Sequence, residues 1–165
     1  MQKISVTIPE IRLLGITART NNTALFEADP STNVVASTVQ KYFHSGLPAL
    51  IPNRSKSDVT YCVYTEYESD FNGDFTYFIG EEVDSLDEVP EGFTALTIPS
   101  QTYAKFTSDP GPMPAVCIDL WKDIWDMTSI ELGGERGYIA DFEVYDERAS
   151  DHQNVVLDIY IGVKA

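Results

Sequence analysis

A carboxylate set among aromatic rings is the feature of this chain best suited to chemistry. Glu143 lies inside GYIADFEVYDER (Gly137–Arg148), with Phe142 beside it and Tyr145 two positions on. The stretch alternates as a β-strand does. A carboxylate in mid-strand faces water, a buried partner or a ligand, and the residue pattern leaves all three open. Desolvated beneath aromatic rings, it would suit an organic cation: the rings supply cation–π attraction, about 0.5–2 kcal/mol each, and the carboxylate supplies countercharge. The same carboxylate, desolvated, could serve as a general acid or base. No serine or cysteine constellation competes for that role.

Composition narrows the classes. The 165 residues suit one domain, and 43% hydrophobic content is ordinary for a globular protein. The net charge is −15, and eleven acids fall between Lys56 and Lys105 with no Lys or Arg among them. That field repels nucleic-acid phosphates and anionic membranes, so direct DNA binding is not expected. There is no apolar run near the ~20 residues a membrane span needs. The start, MQKISVTIPE, lacks the apolar core of a signal peptide, so a cytoplasmic location is expected. Cys62 and Cys117 lie far apart in apolar patterns and are read as reduced core residues. With His44 and His152 the only histidines, no zinc-type spacing exists, and neither metal nor cofactor is expected.

The elements that must position Glu143 are written twice. VTIPEIRLLGITART from Val6 parallels LTIPSQTYAKFTSDP from Leu96, and TEYESDFNGDFTYFIG from Thr65 parallels the segment from Glu143 to Gly162. Between them lie two helical stretches, Ser31–Phe43 and Met113–Met127. Asn72-Gly73 reads as a hairpin turn, Pro9 and Pro99 as edges or bulges, and Ser85–Gly92 as a linker. The expectation is an α+β fold of two pseudo-twofold-related β-α-β-β modules, about 1–84 and 92–165. Neither module buries much alone, so they should share one antiparallel sheet system with two helices over it.

Alternation then assigns faces. Val155, Leu157, Ile159, Ile161 and Val163 form an apolar row expected under the helices, joined by Phe142 and Val144. Asp141, Glu143, Tyr145, Asp158 and Tyr160 are expected on the far face. Aligning Gly80 with Gly162 pairs Phe78 with Tyr160, and aligning Tyr67 with Tyr145 pairs Thr65 with Glu143. Curved, that far face becomes a cleft between the modules, with Phe78, Tyr145 and Tyr160 around Glu143. Trp121 lies in the apolar row of the second helix. Trp125, one position round, is expected at the cleft rim.

The order Pro99, YAKF (Tyr103–Phe106), DPGPMP (Asp109–Pro114), LWKDIW (Leu120–Trp125) and FEVY (Phe142–Tyr145) resembles the GyrI-like effector-binding domain, found also at the C-terminus of some AraC-type and MerR-type regulators. IPEIRLLGI and YFIG fit the family's weaker N-terminal pattern. The resemblance implies two β-α-β-β modules with a ligand cleft between them. It also implies that Glu143 meets lipophilic cations in an aromatic pocket. Other family members inhibit DNA gyrase, and some hydrolyse strained cyclopropane compounds with a pocket Glu. The first strand begins near residue 4, leaving no room for a helix-turn-helix. The expected protein is therefore a small-molecule binder acting alone or through a partner such as a DNA-binding regulator. The alternatives are a hydrolase using Glu143 and a protein-interaction module such as a gyrase inhibitor.

Overall fold

The computed structural model describes residues 2–21, 34–55, 59–69 and 73–164. Eight strands form one antiparallel sheet: β1 (Gln2–Ile8), β2 (Ile11–Thr20), β3 (Thr60–Thr65), β4 (Phe75–Glu82), β5 (Thr94–Ile98), β6 (Gln101–Thr107), β7 (Ala140–Tyr145) and β8 (Asp158–Val163). Helix α1 (Val34–His44) lies between β2 and β3, while α2 (Ala115–Trp125) and the short α3 (Ser129–Leu132) precede β7. The expected first helix begins at Ser31, outside the described residues, as does part of the expected Asn72-Gly73 turn.

The strand order β1-β6-β8-β7-β3-β4-β2-β5 has internal symmetry. Read from both ends it pairs β1 with β5, β6 with β2 and β8 with β4, meeting at the central β7–β3 pair. The registers give the residue equivalences. Phe78 stands beside Val63 and Thr17, and Tyr160 beside Phe142 and Lys105. Phe78 therefore matches Tyr160, as the repeat implies. Val63 matches Phe142, so the mate of Glu143 is Tyr64. The sequence alignment that paired it with Thr65 is shifted by one.

Pro9 and Pro99 are not bulges within strands. Each opens a two-residue link, Pro9-Glu10 or Pro99-Ser100, joining strands six positions apart in the sheet. Three residue steps reach at most about 11 Å, whereas six strand spacings in a flat sheet cover about 29 Å. The sheet must therefore curl until its edges approach. The concave face is the one without helices: Ile11, Leu13 and Ile98 near the links pack there with Val63, Phe78, Tyr103 and Phe142 of the inner strands. Gly15 and Gly80 face each other across β2 and β4. A Cβ on Gly15 would lie 2.0 Å from the Ile79 carbonyl, and one on Gly80 2.2 Å from that of Leu14, so this approach admits no side chain.

The convex face carries the helices. α1 buries Thr38 and Tyr42, one turn apart, against strands of the first module. α2 buries Leu120, Trp121 and Ile124 on the apolar row of Val155, Leu157, Ile159, Ile161 and Val163, as expected. Thr128 caps α3 by accepting the Glu131 amide, and Gly133 at φ 84° closes it. No helix among the described residues is long and apolar enough to cross a membrane.

Candidate functional site

Glu143 faces the helices, not the bare side. It stands between Cys62 and Ile159 in register, and Ile159 belongs to the row beneath α2. The expected placement of Asp141, Glu143 and Tyr145 is thus inverted, and Phe142 and Val144 lie on the concave face. The physical reason is that both faces of the curled sheet are buried. An apolar residue in such a strand does not identify the face it occupies.

Two of the expected aromatics move with that correction. Phe78 is fully buried on the concave face, and Tyr160 packs there against Phe142. The sheet separates both from Glu143, so they do not flank a ligand held by it. Trp121 is buried in the core, yet its indole Nε1–H donates to Glu143 Oε2 at 2.7 Å. Trp125 stacks obliquely near Trp121 and lines a separate hollow with Arg136 and Tyr138. Tyr145 stays beside Glu143, donating its hydroxyl to Oε1 at 2.5 Å.

The side chains that donate to Glu143 among the described residues are neutral. Tyr64, its symmetry mate, donates to Oε2 at 2.6 Å, completing three donors with Trp121 and Tyr145. Cys62 stands beside it across the β3–β7 ladder, and the Cys117 thiol lies 3.4 Å from the Tyr145 hydroxyl. Burial, then the Glu143 charge, pushes Tyr64, Tyr145 and both thiols well above their ordinary values. The sequence reading missed Tyr64. Its signal was present in TYCVYT, where Cys62 and Tyr64 share a face by alternation.

Four carboxylates are buried among the described residues: Asp141, Glu81, Glu143 and Asp158, at 0, 1, 3 and 5% exposure. Arg136 meets Asp141 at 2.5 Å, Arg54 meets Glu81 at 3.3 Å and Arg148 meets Asp158 at 2.6 Å. No Lys, Arg or His among the described residues forms an ion pair with Glu143. A buried carboxylate without countercharge is costly, and hydrogen bonds from neutral donors compensate only part of that.

Beside this carboxylate a cleft of about 540 Å³ opens between the modules. Val39, Phe43 and His44 of α1 form one wall, and Met113, Ala149 and His152 of the second module form the other. Cys62, Ile79 and Tyr145 line its sheet side. Tyr145 joins cleft to charge, since its side chain lines the one and its hydroxyl holds the other.

This two-module sheet with a cleft between its modules is that of a GyrI-like effector-binding domain, a class of small-molecule-binding proteins. Residues 6–163 match the family model Cass2, integron-associated effector binding protein, and the chain belongs to that family. It is similar to integron cassette protein VCH_CASS2 from the mobile metagenome of Vibrio cholerae. That structure superposes with a TM-score of 0.75 at 28% identity, covering 98% of this chain and 95% of the other. The structure of SAV2435 bound to tetraphenylphosphonium superposes with a TM-score of 0.77 at 15% identity, covering 100% and 95%, a likeness of fold. In sequence the chain is 29% identical to YobU of Bacillus subtilis (strain 168), provisionally named a transcriptional regulator, over 93% of this chain and 92% of YobU. It is 35% identical to the transcriptional regulator BrlR of Pseudomonas aeruginosa over 56% of this chain and 34% of BrlR.

Proposed function

We propose that the protein binds lipophilic organic cations with aromatic bodies in the cleft between its modules, with Glu143 as countercharge. The carrying observation is that Glu143 alone among the four buried carboxylates has no arginine. A cation entering from the cleft would supply the missing charge. Phe43, Met113 and the Tyr145 ring offer it apolar and π contact. Tyr64 and Trp121 both donate to Oε2, while Oε1 accepts the hydroxyl of Tyr145, whose side chain lines the cleft. That SAV2435 holds tetraphenylphosphonium supports a ligand of this size in this fold. One buried charge and a few soft side chains read shape coarsely, so selectivity among such cations should be broad. The names of YobU and BrlR support a role in transcription. With a net charge of −15, such a role would run through a protein that itself contacts DNA.

Calorimetric titration with tetraphenylphosphonium and with tetraphenylborate, a near-isosteric pair of opposite charge, tests this reading. The phosphonium should bind wild type far more tightly than the borate. In Glu143→Gln the phosphonium should lose ~2–5 kcal/mol of binding free energy. Equal affinity of wild type and Glu143→Gln for the phosphonium would refute the assignment.

A further inference from the structure

The concave face holds a second cleft, of about 480 Å³, on the other side of the sheet from Glu143. Its sheet surface is aromatic. Phe142 and Tyr160 stack with centroids 4.6 Å apart and planes 19° from parallel, and Tyr61 leans on Phe142 at 5.6 Å. Asp146 and Asp158 line it and are both held by Arg148. Glu82 and Glu147 also line it, and neither forms an ion pair among the described residues. Glu82 and Tyr61 line the cleft together, and the Glu82 charge, after burial, helps push the Tyr61 hydroxyl above its usual value.

The fold supplies its own control. Twofold symmetry places a related cleft of about 320 Å³ at the other end of the central strands. There Thr76 stands where Asp158 does, Ala140 where Tyr61 does, and Phe78, fully buried, where Tyr160 does. One acid, Glu66, lines it. Closing this end of the sheet therefore requires neither accessible rings nor a set of carboxylates. The chain's own cations already use the second cleft's chemistry. Arg148 bridges its two aspartates, and Lys105 Nζ lies 5.6 Å from the Tyr160 ring centroid.

We infer that this cleft is a second binding site, one that takes a guanidinium group. A flat cation stacks on an aromatic face while its edge donates two hydrogen bonds to a carboxylate, and a guanidinium does both. Tyr61 provides the ring, and Glu82 and Glu147 provide acceptors not engaged by a described cation. These carboxylates are more exposed than Glu143, so binding here is weaker and more sensitive to salt. Guanidinium could come from a small free ligand or from an arginine of another protein.

The test is an amide-resolved NMR titration of the full chain. Its probes are arginine amide, the peptide acetyl-Gly-Arg-Gly-amide and the corresponding lysine peptide. Arginine probes should shift Tyr61, Val144, Glu147 and Tyr160, and bind more tightly than the lysine peptide. Glu82→Gln with Glu147→Gln should weaken them about fivefold or more, while tetraphenylphosphonium affinity stays at the wild-type value. That last readout separates this site from the Glu143 cleft, whatever the fate of the first reading. Tighter binding of the peptide than of arginine amide would identify a protein arginine as the source, and equal binding a free guanidine. Shifts spread over the whole acidic surface, equal response to the lysine peptide, or an unaffected double variant would each overturn the inference.

Discussion

Asp141 and Glu143 sit two residues apart on one strand and face the same side, yet their surroundings differ in kind. Asp141 Oδ2 accepts from the Arg136 guanidinium at 2.5 Å and the Tyr67 hydroxyl at 2.6 Å, and Oδ1 accepts the Gly162 amide at 2.8 Å. Its charge is matched, and burial is complete. The same carboxylate holds Arg136 protonated against the opposing effect of burial. Glu143 is nearly as buried and receives as many hydrogen bonds, all from neutral groups. Burial and hydrogen-bond satisfaction therefore do not tell these two acids apart. Countercharge does. Asp141 ties β7 to β8 through Gly162 and ties the loop before β7 through Arg136, whereas Glu143 leaves its electrostatic deficit beside an open cleft.

The comparison breaks most decisively through stability. Asp141→Asn removes the Asp141 charge from beside the Arg136 guanidinium, which is 9% exposed. Removing one partner of such a pair typically costs about 3–5 kcal/mol, and chemical denaturation should show a loss in that range. An unchanged unfolding midpoint would mean that Asp141 is no more structural than Glu143.

Glu143→Gln should behave oppositely. It removes a buried charge with no described cationic partner, so the folded state should keep its stability to within about 1 kcal/mol or gain slightly. The cost appears instead in phosphonium binding. Measuring denaturation and titration on both variants yields a crossed pattern: one change lowers stability, the other lowers cation affinity. Parallel losses would erase the distinction.

A smaller effect sharpens it at alkaline pH. Tyr64 and Tyr145 are pushed up by burial and then by Glu143, and Tyr67 by burial and then by Asp141. A tyrosine held protonated by the fold contributes stability in full below its unfolded value of about 10. Above that pH the unfolded chain releases protons that the folded one retains, so stability falls as pH climbs toward the folded-state values. Tyrosinate absorbance should therefore rise with unfolding rather than before it. In Glu143→Gln burial still holds Tyr64 and Tyr145 up but the contribution of Glu143 is lost, and a fraction of the tyrosinate signal should come before unfolding. A titration identical to wild type would show that burial alone sets those hydroxyls.

Much of this was legible in the linear chain because it is local. The duplicated Thr-Ile-Pro strands, the two helical periods and the Phe-Glu-x-Tyr stretch depend on residues within one element, where backbone geometry alone relates neighbours. Hence the two-module plan and the apolar row from Val155 to Val163 could be read in advance. The equivalence of Phe78 and Tyr160 also followed from the repeat. What the chain could not reveal was the face on which each strand's residues lie. That depends on the pairing of Glu143 with Cys62 and Ile159, and on a sheet curled so far that its bare side holds a core of its own. Once both sides are buried, hydrophobic alternation loses its meaning as a label of inside and outside. Countercharge is equally non-local. Arg136 lies five residues from Asp141, whereas two of the three donors to Glu143, Tyr64 and Trp121, lie 79 and 22 residues away in the chain. Only tertiary packing determines which buried acid meets a cation of the chain and which meets neutral donors alone.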